Sequence, residues 1–439
     1  LVLYLAPSLQ TKHMAAPCYT DSAYSAPTSP PYSASVTDGE RILELRSSIS
    51  TLPNDLPDQY VFQSQRIKLD LGARIWPTRT PCFGCMGTIE GTVSVTTLDH
   101  VKRLTITVRV NFLANSQYAD CAFLIKLEAT VKSSFMERGV LTGHIESTLF
   151  QRSVTLYTNV CPPVANLHHP FSISLPATCD KSTKPLPPSF VCYLPGVSAE
   201  VRYRIRIDMS RSGLRRRENL VIPILYLPRW YTPPTHCTVP LFGNQFNLSS
   251  NVKAMKELHL APKAIISPKK ASKLKASPTA EVQAKIALPS PLVSASGDRI
   301  PFVITIHSQS QALAALYTDI TLQLLKITRI KAYEKTSLKE VVIAAGEVFE
   351  LEEPGDGVQI LRGELGNGIP GAEFTWSAGE VAEVKHMIRL SIKPSCTASL
   401  SSNLPMFEGM ISVDIMTHRH TPEVDTTVPA LGIIGINLT

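Results

Sequence analysis

Apolar and polar residues change places at every second position along most of this chain. In "RIKLDLGARI", Ile67, Leu69 and Leu71 alternate with Arg66, Lys68 and Asp70. "GTIEGTVSV", "VKRLTITV", "KLEATVKSSF", "HIESTLFQRSVTLYT", "FSISLP" and "NLVIPILYLP" repeat the pattern, with Pro, Gly and Asn between the runs. A period of two places alternate side chains on one face of a strand, whereas a helix needs a period of 3.6. Many short runs of this kind without a sustained helical period predict an all-β chain built as an antiparallel sandwich.

The alternation is sharpest in "AEVRYRIRIDMSRSGLRRREN", Ala199 to Asn219. Val201, Tyr203, Ile205, Ile207 and Met209 fall on one face, and Arg202, Arg204 and Arg206 on the other. Arg211, Arg215, Arg216 and Arg217 extend the positive charge into the following turn. Such a row is either a solvated outer face that also protects a sheet edge or a surface that meets anions. Arginine suits the second use because its planar fork makes paired, charge-assisted bonds to phosphate.

The pattern divides the chain into four parts. Residues 1–39 contain "SAYSAPTSPPYSAS", which lacks core-forming residues and is expected to be a disordered Ser/Pro/Tyr-rich tail. Residues 40–240 carry the first β series. Residues 241–279 include "KAIISPKKASKLKAS" and are expected to be a basic linker. Residues 280–439 carry a second series, from "EVQAKIALP" to "LGIIGINL", with one helix expected in "SQSQALAALYTD". The opening "LVLYLAPSLQ" lacks the positive start of a signal peptide, and Met14 opens a more natural beginning. No apolar run reaches the length of a membrane span. Nine scattered cysteines form no disulfide framework, so a reduced, cytoplasmic protein is expected.

Catalytic and cofactor signals are sparse. Cys82 and Cys85 form a single "CFGC" with no second ligand pair for zinc and no helix start for redox work. "GNGIPG", Gly366 to Gly371, has the glycine spacing of a dinucleotide fingerprint, but Pro370 and the following "AEFTWSAGE" open no helix, so it reads as a turn. His168, His169 and the "HRH" from His418 to His420 lack metal spacing. Asn247 and Asn437 head glycosylation sequons without the compartment to use them. Neither catalysis nor a cofactor or metal is expected, and a net charge of +7 permits acidic partners without pointing to nucleic acid.

The stretch "LPPSFVCYLPGVSAEVRYRIRIDMSRSGLRRRENLVIPILYLPR", Leu186 to Arg229, resembles the arrestin-like N-terminal domain of fungal, particularly basidiomycete, proteins. "IEGTVSV", "HVKRLTITV" and "ATVKSSFMERGVLTG" are similar to the preceding strands of that family. "ALPSPLVSASGDRIPFVITI", "YTDITLQLLKITRI" and "GVQILRGEL" are similar to its C-terminal half. The resemblance implies the arrestin fold, with two immunoglobulin-like β-sandwiches in tandem, and a place near the α-arrestins. It further implies a cytosolic adaptor that links membrane protein cargo to ubiquitination and endocytic trafficking, located in the cytoplasm or peripherally at plasma membrane or endosomes. A retromer-type coat subunit is the alternative, and a secreted-type β-sandwich enzyme is disfavoured by the missing signal peptide and missing paired carboxylates.

The family also implies a basic surface for phosphorylated cargo or anionic lipid, which marks Arg202, Arg204, Arg206, Arg215, Arg216 and Arg217 as the candidate anion-binding face. The resemblance implies recruitment of WW-domain ubiquitin ligases through P-P-x-Y or L-P-x-Y. Here "SPPYS" sets Tyr32 directly after Pro31, and "APCY", ending at Tyr19, lacks the first proline, so neither matches the motif. Ser267 and Ser277 each precede proline in the basic segment and are candidate phosphosites. Arg109 to Lys126, "RVNFLANSQYADCAFLIK", splits a connection that the family writes continuously. This segment is read as a retained intron or as a genuine hairpin insertion.

Overall fold

The computed structural model of the chain describes residues 56–96, 101–108, 125–137, 140–158, 167–180, 182–211, 218–234, 255–263, 282–395 and 404–436. The expected tail at 1–39, the turn arginines Arg215, Arg216 and Arg217, both candidate phosphosites and both sequons lie outside these residues. The protein is all-β. Its first strands are β1 (Gln59–Gln63), β2 (Ile67–Ala73), β3 (Cys82–Phe83), β4 (Thr88–Val95), β5 (Val101–Val108) and β6 (Ile125–Glu137). They are followed by β7 (Val140–Thr158), β8 (His168–Ser174), β9 (Phe190–Leu194), β10 (Val197–Arg211) and β11 (Glu218–Tyr226).

These strands make two sheets with one core between them. The first sheet runs β1-β2-β4-β8, and β10 is central to the second. Along β10 the even-numbered arginines point outward. Val201, Tyr203, Ile205, Ile207 and Met209 are all buried to 2% exposure or less. They meet Ile67 and Leu69 of β2, Ile89 and Val93 of β4, and Phe171 and Ile173 of β8. Burying each large aliphatic side chain contributes about 1.5–3 kcal/mol. The alternation in the sequence is therefore the division between core and water. Tyr203 is the largest of these residues. It donates its hydroxyl to the carbonyl of Pro187 and packs its ring 4.9 Å from that of Tyr226.

The second β series contains β12 (Met255–His259), β13 (Pro262–Lys263), β14 (Val282–Pro289), β15 (Val293–Ala295), β16 (Arg299–Ser308) and β17 (Asp319–Ala332). It continues with β18 (Lys335–Gly355), β19 (Val358–Gly366), β20 (Trp376–Ala378), β21 (Ala382–Lys393) and β22 (Met406–Met416). Among the described residues they form one eleven-stranded sheet. The 21-residue β18 pairs with β17 along its first half and with β19 along its second. It thus joins β14, β16 and β19 to β17, β21 and β22 around a second core that includes Phe302, Ile304, Leu324, Ile388 and Phe407. The helix expected in this part is a single turn, α1 (Gln311–Ala314).

Two expectations change. The segment 241–279 is not linker throughout. Met255–His259 pairs antiparallel with β14, and Pro262–Lys263 pairs with β22. In β12 Lys256, Glu257 and His259 are exposed, and Met255 and Leu258 are partly buried three residues apart, so backbone pairing makes this strand without leaving an apolar alternation to read. Second, the two β series share structure. Ile330 and Ala332 at the end of β17, together with Ala378 and Ala382, belong to the first core. Phe190 of β9 meets Trp376 edge-on at 4.8 Å. Beyond β22 the chain returns to the first series, where Leu431 packs on Cys82 and Leu227.

Candidate functional site

The arginine face takes its rigidity from β10. This strand is paired on one edge with β5 and β6 and on the other with β9 and β11. Arg202 is exposed, and Arg204 and Arg206 are half-buried. Their neighbours of the same parity are acidic. Arg202 is ion-paired with Glu200, and Arg206 Nε donates to Asp208 Oδ1 at 2.9 Å. Opposite Arg204 on β6 stands Glu128, and opposite Arg206 stands Lys126. The row therefore reads acid, three bases, acid. Partly exposed pairs of this kind contribute about 0–1 kcal/mol.

Glu200 and Asp208 could have been found in the sequence. Both lie in the quoted stretch at the same parity as the arginines, which is the signal for a same-face neighbour in a strand.

Cys82 and Cys85 are buried, and burial pushes both thiols up. "GNGIPG" is a turn, with Gly368 and Gly371 at φ of 92° and 71°. Asn367 within it donates to the carbonyl of Ala295 at 2.6 Å and to Ser294 Oγ at 3.0 Å. His168 is hydrogen-bonded to Ser94 Oγ at 2.7 Å. Burial, and then the charge of His168, holds His169 below the ordinary histidine range. Burial, and then Arg229, does the same for His418. Among the described residues no group of three His, Cys, Asp or Glu is arranged to hold a metal ion, and no helix is long and apolar enough to cross a membrane.

A polar cluster that the sequence reading did not single out lies where the two β series meet. His386 of β21 is fully buried. Its Nδ1 is 2.8 Å from Thr375 Oγ1 and its Nε2 is 3.2 Å from Glu373 Oε2. Thr375 Oγ1 also accepts the backbone N–H of Ile415 at 3.0 Å, and because a carboxylate only accepts, Nε2–H donates to Glu373. Lys326 Nζ completes the cluster 2.8 Å from Glu373. Thr375 also borders a cavity of about 290 Å³, lined by Lys184 and Leu186 from the first series and by Phe374 and Trp376 from the second. The cluster ties β17, β21 and β22 together. A signal for it exists in "VAEVKHMIRLSIK", where His386 takes a place in the buried row of Val384, Ile388 and Leu390.

No protein family matches the chain, and no curated protein matches it.

Proposed function

We propose that this chain is a non-catalytic, arrestin-like adaptor of the cytosol, with two immunoglobulin-like sandwiches in tandem, that links membrane cargo to ubiquitination and endocytic traffic. Its contact with cargo is the outward face of β10, where Arg202, Arg204 and Arg206 bind phosphate groups on the cytosolic segments of the cargo. One observation carries the reading. Three arginines have their Cα atoms about 6.7 Å apart along a strand, and five buried side chains hold the strand from behind. A row so backed presents its charge without having to order itself first, which reduces the entropic cost of binding. The resemblance of Leu186 to Arg229 to fungal arrestin-like proteins supports the same reading.

The test is binding of phosphorylated and unphosphorylated peptides, with anionic liposomes as a second arm, to the parent and to the triple variant Arg202→Gln, Arg204→Gln, Arg206→Gln. The parent should prefer the phosphorylated peptide and lose affinity as salt rises, because charges beyond about 8 Å are screened at physiological ionic strength. The triple variant should lose this binding and keep its melting temperature. Equal binding by the variant, or binding to liposomes alone, sinks the phosphopeptide reading. A pull-down from cells that recovers coat subunits in place of cargo and ligases favours the retromer-type alternative.

A further inference from the structure

We infer that β5 and β6 are a single strand of the first sandwich, interrupted by a nineteen-residue insertion, and that the chain without this insertion is a complete form of the protein. The register on β10 carries the argument. Ile207 stands opposite Ile106, Arg206 opposite Lys126, and Ile205 opposite Leu127. Successive residues of β10 thus pass from β5 to β6 without a gap. The other neighbour agrees. On β7, Val154 stands opposite both Ile106 and Ile125, and Arg152 opposite both Val108 and Leu127. On both neighbours β5 and β6 follow the same register at an offset of nineteen residues, so that 106 is equivalent to 125 and 108 to 127.

The count then follows. Between Ile106 and Leu127 each neighbouring strand leaves room for one residue, opposite Arg206 on one side and Ser153 on the other. The chain supplies twenty, 107 to 126, so nineteen are surplus. Removing 107–125 leaves Lys126 in the single place, and removing 108–126 leaves Thr107 there. Either joint keeps Ile106 and Leu127 in register with their partners Ile207 and Ile205. Removing Arg109 to Lys126, the eighteen residues marked by the sequence, leaves Thr107 and Val108 to share that place. An extra residue in a strand either turns every following side chain to the wrong face or is expelled as a bulge. Nineteen codons also leave the reading frame intact, as removal from a transcript requires. The inference is independent of what the arginine face binds.

The experiment compares full-length chains lacking 107–125, 108–126 or 109–126 with the parent, by thermal melting and near-ultraviolet circular dichroism. The chain lacking 107–125 should fold and melt at or above the parent temperature, because closing a long loop costs entropy. The chain lacking 109–126 should melt several degrees below both nineteen-residue deletions. The inference is overturned if neither nineteen-residue deletion folds, if both melt below the parent, or if the eighteen-residue deletion matches them. Sequencing of mature transcripts should find a form lacking nineteen codons here.

Discussion

The backbone N–H of Gly84 donates to the carbonyl of Thr427 at 3.0 Å, tying the loop between Cys82 and Cys85 to the segment that follows the last strand. A Cβ on Gly84 would lie 2.5 Å from the carbonyl oxygens of both Thr426 and Thr427. Both obstacles are backbone, so no side-chain rotation relieves them. Gly84→Ala should therefore cost about 1–3 kcal/mol, the usual range for overpacking. Gly366→Ala, whose Cβ would meet only Ala344 at 3.4 Å, is the control. Equal melting temperatures for the two variants would show that the contact yields.

The acids beside the arginine row should compete with any bound phosphate. Glu200→Gln with Asp208→Asn removes both intrastrand partners and leaves the buried face of β10 untouched. Affinity for a phosphorylated peptide should rise by up to about fivefold for each pair released, corresponding to about 1 kcal/mol for an exposed ion pair. Fluorescence anisotropy at two salt concentrations measures it. An unchanged affinity would mean that the phosphate does not meet Arg202 or Arg206.

Acid stability should depend on Glu373. Burial pushes its carboxyl up, but the hydrogen bond from His386 and the charge of Lys326 outweigh burial and hold it below the usual carboxylate range. A folded pKa below the unfolded one gives stability that is full above the unfolded value of about 4.3 and is lost as pH falls through the folded value. Glu373→Gln should lower the melting temperature at neutral pH and lose less on acidification below about pH 4.5. His386→Ala should cost about 1–3 kcal/mol by leaving Thr375 and Glu373 without their partner. A pH titration of the melting temperature across parent and variants checks both.

A second, milder pH dependence belongs to the histidines. His418 has a lowered pKa, chiefly from burial and then from Arg229, so the unfolded chain takes up its proton first as pH falls. Stability is full above about pH 6.5 and declines as pH drops toward the folded value. His169 adds to the same decline. His418→Gln should flatten part of the loss between pH 7 and 5. A parent-like slope in that variant would assign the whole effect elsewhere.

What the sequence revealed depended on how local the cause was. The buried row from Val201 to Met209 was legible because one strand needs only its own alternation to separate core from water. β12 escaped notice because its stability comes from pairing with β14, and its side chains, with Lys256 and Glu257 exposed, carry no apolar rhythm. The helix lies in the stretch where it is expected and is a single turn, since Tyr317 and Leu322 are claimed by the second core soon after it. Of the site, the three strand arginines were legible and their acid partners were legible but overlooked. The meeting of His386 with Glu373 and Thr375 was not, because it joins a strand to a loop whose path no local pattern sets.

The presence of Ile330 and Ala332 in the first core bears on cooperativity. Side chains from beyond residue 300 complete the packing of a sandwich whose own strands end before residue 230. The first core cannot part from the second series without exposing apolar surface that Ile330, Ala332, Ala378 and Ala382 cover, so heat should melt both in one step. Calorimetry should record a single endotherm whose van 't Hoff and calorimetric enthalpies agree. A chain nicked by protease within "SPKKASKLKASP" should still travel through a sizing column as one particle, its two pieces held together by the packing that makes them a single folding unit.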